Sequence, residues 1–186
     1  MSHRTLVKGF LHLGIFSPAP GKAADAWTQE EEDAIFASGI SYFFFPHGLG
    51  HSLGMDVHDV PTISKPALQE NATIDAWRSS LAPLTGGAGP GWGHDSLYRF
   101  LRLRLPLEAG MVVTVEPGVY FSPHLVDAAL ASPGAKWVNT SVLERYRGMG
   151  GVRIEDVVVV TSTDYENLTT VKSERAWIES VCSGEI

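Results

Sequence analysis

Three segments of the chain carry the signals of α-helices. Apolar residues recur at helical spacing over residues 6–14 and 96–105. Residues 28–38 open on Thr-Gln-Glu-Glu, the spacing of a capping box, in which the threonine hydroxyl and the last glutamate each satisfy a free backbone N–H. Gly14 and Gly39 close two of these segments, and glycine commonly ends a helix. The pattern therefore predicts three helices.

Three other segments are apolar without helical spacing and predict strands. Residues 41–45 are mostly aromatic, and residues 111–115 and 152–161 are rich in β-branched side chains. Four consecutive valines at 157–160 predict a stretch of strand that is buried on both faces. Residues 61–95 lose this periodicity and include a glycine-rich run, so we expect a surface loop or insertion there.

The composition is that of a globular protein. The chain has 186 residues, 44% of them hydrophobic and 19% charged, which fits one domain. Its formal net charge of −7 disfavours binding to nucleic acid or to anionic membrane surfaces. Because Cys182 is the single cysteine, no disulfide forms within the chain, and a reducing, cytoplasmic setting is expected. No apolar run approaches the ~20 residues that span a bilayer, so no membrane segment is predicted.

Three of the seven histidines crowd into one glycine-rich segment, residues 46–59. His47, His51 and His58 are interleaved with glycines, which let a backbone approach a ligand closely. Imidazoles held in this way can coordinate a metal or carry protons near neutral pH. Three partly exposed histidines in a glycine-rich turn are equally consistent with the spacing alone.

Two glutamates lie in or beside predicted strands. Glu116 ends a valine-rich segment just before a Pro-Gly turn, and Glu155 lies within residues 152–161. A buried carboxylate needs a partner, because it otherwise pays a large desolvation cost or becomes neutral. Two such carboxylates and a histidine suit Mn²⁺, Fe²⁺, Co²⁺ or Zn²⁺. The alternative for Glu155 is a simple ion pair with Arg153, two residues earlier on the same strand face.

Three motifs, in order along the chain, carry a specific resemblance. They are FPHGLGHSLGMDVHDV at residues 45–60, LEAGMVVTVEPGVYF at 107–121 and RGMGGVRIE at 147–155. Together they closely resemble the C-terminal part of the prolidases. Prolidases are the Xaa-Pro dipeptidases of the pita-bread metallopeptidase family, which also includes aminopeptidase P and methionine aminopeptidase.

The resemblance implies an α+β fold and a hydrolytic activity. The fold is a partial pita-bread domain over residues 1–186, with a curved, mostly antiparallel sheet covered by helices on its outer face and a loop insertion at about 61–95. The implied activity is that of an Xaa-Pro dipeptidase, which hydrolyses the peptide bond before proline through a metal-activated water. Members of the family use two divalent ions, with Mn²⁺ expected here and Co²⁺, Zn²⁺ or Fe²⁺ as alternatives.

The resemblance also implies roles for individual residues, beginning with the metal. His51, Glu116 and Glu155 match three of the family's metal ligands. Glu116 matches, in addition, the glutamate that handles the protons of the attacking water. The family's two aspartate ligands have no counterpart among the nine aspartates of this chain. With three protein ligands, which suffice for many catalytic metals, we expect at most one ion.

Substrate contacts are implied for four further positions. His47 and His58 match the histidines that line the cleft and stabilise the tetrahedral intermediate. Arg102 matches the arginine that holds the terminal carboxylate of the dipeptide, a task suited to a planar guanidinium. Arg153 matches the arginine just before the last metal ligand.

The absent aspartates leave other interpretations open. The chain is expected to lack sheet strands that precede it in the family, and an uncovered sheet edge invites pairing, either in a homodimer or with an N-terminal half. One alternative function is a truncated or degenerate homologue that acts as a binding partner. Another is a metal-independent acid–base enzyme that reuses the cleft.

Overall fold

The computed structural model describes residues 2–18, 26–59, 103 and 106–186. Its helices are α1 (Ser2–His12), α2 (Gln29–Ala37), α3 (Pro123–Leu130), α4 (Thr140–Leu143) and α5 (Arg175–Ser183), with 3-10 helices at Ile40–Phe43 and Pro133–Trp137. Its strands are β1 (Val112–Val115), β2 (Gly118–Tyr120), β3 (Gly151–Arg153), β4 (Asp156–Val160) and β5 (Tyr165–Asn167). All strand pairs of these elements are antiparallel, so the structure has the predicted mixture of helices and antiparallel sheet.

The first two predicted helices are confirmed. The capping box of α2 forms: the Thr28 hydroxyl accepts the Glu31 N–H, and a Glu31 carboxylate oxygen accepts the Thr28 N–H at 2.7 Å. Gly39 follows with φ of 73°, a left-handed conformation that glycine adopts without strain. The predicted insertion at 61–95 and the predicted helix at 96–105 lie outside the described residues, apart from Leu103, which is not helical.

The strand predicted over residues 41–45 is wrong, because the chain forms a 3-10 helix at Ile40–Phe43. Every residue from 40 to 45 is buried. A strand would direct alternate side chains to opposite faces, whereas the 3-10 turn sends successive side chains in three directions. These side chains pack against α1, α2 and α3 together, so core packing overrides the strand propensity of the aromatic residues.

The strand predicted over residues 152–161 is two strands. β3 pairs with β2, whereas β4 pairs with β1 and β5, and the chain changes partner at residues 154–155. The prediction of burial on both faces is also wrong: of the four valines only Val158 is buried, and the others are half-buried. The other valines of β4 are only half-buried because this sheet lies outside the main core. Among the described residues, that core includes no side chain of β1, β4 or β5.

The centre of the main core is aromatic. Phe10, Phe16, Phe44 and Phe121 are at most 3% exposed, and their neighbouring ring centroids lie 4.9–5.9 Å apart. Aromatic pairs at these distances add to the stabilisation that burial provides. Because Phe121 directly follows β2, this packing anchors the strand that carries Tyr120.

Two backbone pairings meet at the end of β1 and bring distant segments together. Val115 lies opposite Asp156 in the first pairing, and Gly118 lies opposite Arg153 in the second. Between them, the Ile154 N–H donates to the Pro117 carbonyl at 3.1 Å. The junction therefore places residue 116 beside residue 155.

The glycine-rich histidine segment runs along the free edge of β1. The Thr114 N–H donates to the His51 carbonyl at 2.9 Å, and the Glu116 N–H donates to the Leu49 carbonyl at 2.7 Å. This pairing needs glycine at position 50, because a Cβ there would overlap the Thr114 carbonyl. His51 is thereby fixed beside the last residues of β1.

Candidate metal centre and active site

The three residues predicted to bind metal lie together. His51, Glu116 and Glu155 each offer a ligand atom, and these atoms are all within 4.8 Å of one another. His51 and Glu116 are 2% and 1% exposed, whereas Glu155 is exposed. The cluster therefore has a buried floor of one imidazole and one carboxylate and an open side at Glu155.

The orientation of His51 suits a metal ligand. Its Nδ1 lies 2.9 Å from the Ser52 carbonyl, so Nδ1 carries the hydrogen and donates it. In the neutral ring this leaves the lone pair on Nε2, which faces Glu116 Oε1 at 3.2 Å. A contact at this distance is satisfied either by a proton on Nε2 or by a cation bound to both atoms. Together with Glu155 they form a donor set that fits Mn²⁺, Fe²⁺, Co²⁺ or Zn²⁺.

Both oxygens of Glu116 are held by hydrogen-bond donors. The Thr114 hydroxyl donates to Oε1 at 2.8 Å, and Nη1 of Arg153 donates to Oε2 at 2.9 Å. Two donors of this kind, one of them a guanidinium, fix the rotamer of a buried carboxylate. Glu116 is thus held in one orientation, which is what a metal ligand or a proton acceptor requires.

Arg153 connects Glu116 to a tyrosine. Its Nε donates to the Tyr120 hydroxyl at 2.7 Å. This hydrogen bond raises the pKa of the Arg153 guanidinium; desolvation opposes it, and the charges of Glu116 and Glu155 add to the rise. Arg153 forms its ion pair with Glu116 and not with Glu155. The predicted strand ends at Arg153 and a new one begins at Asp156, so Arg153 and Glu155 do not share one strand face.

His47 extends the same network on the other side of Tyr120. Its Nδ1 lies 2.7 Å from the Gly48 carbonyl, and its Nε2 lies 2.8 Å from the Tyr120 hydroxyl. Since Tyr120 accepts from Arg153, its own proton is available to Nε2 of a neutral His47. A continuous hydrogen-bonded path therefore runs from His47 through Tyr120 and Arg153 to Glu116.

The other predicted substrate residues differ in what the structure shows. His58 is exposed, and its ring meets the His51 ring edge-on, with centroids 4.4 Å apart. The structure thus brings His58 to the mouth of the cluster. Arg102 lies outside the described residues, so its predicted role stays a prediction.

Two residues of the site were missed by sequence reasoning. Thr114 precedes Glu116 by two positions, which places both side chains on the same strand face, and this spacing could have revealed it. Tyr120 carried no comparable signal, because its contacts with His47 and Arg153 depend on the pairing of β2 with β3.

The chain is similar to known proteins in both sequence and structure. The model of metallopeptidase family M24 matches residues 18–162. A probable Xaa-Pro aminopeptidase of Paracoccidioides brasiliensis is 44% identical over 170 residues, which are 91% of this chain and 28% of that protein. An aspartate-to-alanine variant of Escherichia coli aminopeptidase P superposes with a TM-score of 0.53 and 31% identity, covering 99% of this chain and 28% of that one. A zinc-substituted aminopeptidase P of the same organism, in complex with product, gives a TM-score of 0.50 at 29% identity, with the same coverage of both chains.

These similarities define first a fold and then a family. The structural neighbours have the pita-bread fold, and the antiparallel pairing described above is part of it. The chain belongs to metallopeptidase family M24. It spans less than a third of the length of the relatives named above. No helix among the described residues is both long and apolar enough to cross a membrane.

Proposed function

We propose that this chain supplies the histidine and glutamate side of an Xaa-Pro peptidase active site. The observation that carries the proposal is the convergence of His51, Glu116 and Glu155 in one cluster. Thr114 and Arg153 hold the two oxygens of Glu116, and the chain belongs to a family of metallopeptidases. A divalent ion bound by these residues would act as a Lewis acid and would lower the pKa of a water molecule. We expect this chain alone to hold a single ion, with Mn²⁺ as the first candidate.

The protein's own groups would then act on a small Xaa-Pro peptide. Glu116 would accept and return a proton at its carboxylate, which Thr114 and Arg153 hold in place. His58, at the mouth of the cluster, would donate a hydrogen bond to charge that develops on the scissile carbonyl. The same role for His47 rests on the resemblance, and it would require Nε2 to leave the Tyr120 hydroxyl. Arg102 would hold a substrate carboxylate, a role that rests on the resemblance alone.

We further propose that activity requires a second polypeptide segment. Large apolar side chains near the junction and on α5 are exposed, among them Val152 (62%), Ile154 (47%), Ile178 (44%) and Val181 (42%). Exposed apolar surface of this kind is typical of an interface. The relatives contain a part that this chain does not span. An equivalent segment would cover the exposed apolar surface and add carboxylates for a second ion. The alternative partner is a second copy of this chain, in a homodimer.

Hydrolysis assays test the activity and the partner together. Gly-Pro and Gly-Pro-Ala are offered with Mn²⁺ to the chain alone and to the chain mixed with the N-terminal part of an Xaa-Pro aminopeptidase. Turnover only in the mixture is expected. Turnover by the chain alone would overturn the need for a partner, and preference for Gly-Pro over Gly-Pro-Ala would identify a dipeptidase.

The same assay addresses the alternatives. Turnover that persists in EDTA would favour metal-independent acid–base chemistry at the cleft. Absence of turnover in every mixture, together with stable association of the two parts, would favour a binding role. A cytoplasmic location, expected from the single cysteine, stays a prediction.

A further inference from the structure

The hydroxyl of Thr114 lies between the two buried ligand residues. Thr114 is 4% exposed, and its Oγ1 lies 2.9 Å from the backbone nitrogen of His51 and 2.8 Å from Oε1 of Glu116. A backbone N–H can only donate, so the hydroxyl accepts from His51. Its one proton is then donated to Oε1 of Glu116 at 2.8 Å, because the other acceptor nearby, the His51 carbonyl, lies farther away at 3.5 Å. The direction of both bonds is therefore fixed.

Thr114 is itself held by backbone hydrogen bonds within the sheet. Its own N–H donates to the His51 carbonyl at 2.9 Å, and β1 continues through Thr114 in register with β4. The β-branched side chain has restricted rotation about χ1. The hydroxyl is thus a rigid link between the backbone of one ligand residue and the carboxylate of the other.

This link fixes one oxygen of Glu116 independently of the other. Arg153 reaches Oε2 from a partly exposed position, whereas Thr114 reaches Oε1 from inside the sheet. Oε1 is also the oxygen that faces Nε2 of His51. Loss of the hydroxyl would leave that oxygen free to turn away from the imidazole while the Arg153 contact remained.

We propose that Thr114 is a positioning residue that sets the geometry of His51 and Glu116 toward a divalent ion. The inference rests on the proposed function and adds a determinant of metal affinity. Partners of this kind typically affect metal affinity by about 10- to 100-fold. A purely structural role, in which the hydroxyl only holds residues 49–53 on β1, is the alternative.

Three variants separate these roles. Thr114→Val removes the hydroxyl and keeps the shape, and Thr114→Ser restores the hydroxyl. Thr169→Val is the matched control, because the Thr169 hydroxyl, two residues beyond β5, also accepts a backbone N–H, that of Val157 in β4 at 2.9 Å. Mn²⁺ affinity is measured by calorimetric titration of each intact chain, and hydrogen exchange of the His51 amide is measured by NMR.

Positioning predicts that Thr114→Val weakens Mn²⁺ binding by about 10- to 100-fold. The Mn²⁺ affinities of Thr114→Ser and Thr169→Val should remain within about threefold of the wild-type affinity. Faster exchange of the His51 amide in Thr114→Val with unchanged Mn²⁺ affinity would overturn the proposal in favour of the structural role.

If the wild type binds no Mn²⁺, the proposed function fails and a metal-free readout decides the positioning role. The ¹³C resonance of the Glu116 carboxylate should then change in Thr114→Val and stay unchanged in Thr169→Val. An unchanged resonance in both would overturn the proposal.

Discussion

Arg153 and Glu116 form an ion pair across the junction of the two sheets, with Nη1 2.9 Å from Oε2. The carboxylate side chain is 1% exposed and the guanidinium side chain 37% exposed, so the pair is half open to solvent. Because Arg153 also bonds Tyr120 through Nε, one planar group orients both a carboxylate and a hydroxyl.

Arg153→Gln should destabilise the fold, because Glu116 would remain buried without its cation. Breaking a fully buried pair costs about 3–5 kcal/mol, and the partial exposure of Arg153 reduces the expected loss to about 1–3 kcal/mol. Urea unfolding at pH 7 measures it. Arg147→Gln is the control. Arg147 forms ion pairs with Glu144 and Asp127, whose carboxylates are exposed, so these pairs should contribute about 0–1 kcal/mol. Equal losses in the two variants would contradict the assignment.

Gly118→Ala should displace Tyr120 and disturb the path from His47 to Arg153. An added Cβ at position 118 would overlap the Tyr120 hydroxyl. Overpacking of this kind costs about 1–3 kcal/mol. The matched variant Gly148→Ala has open space around its Cβ and should be neutral or slightly stabilising. Thermal unfolding compares the two, and a Gly118→Ala chain as stable as Gly148→Ala would show that the tyrosine adapts freely.

Gly50→Ala should be more damaging than Gly118→Ala. The added Cβ would meet the Thr114 carbonyl, which is backbone and cannot rotate away, so residues 49–53 would be pushed off β1. Gly9→Ala in α1 meets nothing within 4 Å and should stabilise the helix by about 0.5–1 kcal/mol. Hydrogen exchange at the Thr114 and Glu116 amides reports the loss of pairing. Retained protection in Gly50→Ala would refute this account of the edge.

The contribution of Glu144 to stability should depend on pH. The hydrogen bond from Arg147 lowers the pKa of Glu144 below the ordinary value of a glutamate side chain. A carboxylate with a lowered folded-state pKa stabilises the fold above its unfolded-state pKa and loses this contribution as the pH falls through the folded-state pKa. The stability difference between wild type and Glu144→Gln should thus be present at pH 7 and shrink below about pH 4.5. A difference that is constant from pH 7 to pH 3 would exclude this linkage.

Local sequence signals predicted the elements that depend on local interactions. The capping box at Thr28 gave the start of α2 correctly, since both of its bonds join residues three apart. Residues 41–45 were mistaken for a strand, because their conformation is set by packing against α1, α2 and α3, which propensity does not report.

The site was predicted in part for a similar reason. His51, Glu116 and Glu155 follow from the motifs, and the structure places them together. The partner of Arg153 could not be predicted from the sequence. Glu155 is only two positions away in the same predicted strand, whereas Glu116, the actual partner, is 37 positions away. Only the change of partner strand at residues 154–155 explains the pairing.

Titration of the chain with Mn²⁺ tests the central claim most directly. We expect one ion per chain in the wild type. Binding should be at least about 10-fold weaker in His51→Ala and Glu155→Gln. It should be unchanged in the control variants His124→Ala and Glu166→Gln, whose side chains are exposed and are not part of the cluster. Binding that is equally strong in all five proteins, or absent from the wild type, would contradict a metal centre at His51, Glu116 and Glu155.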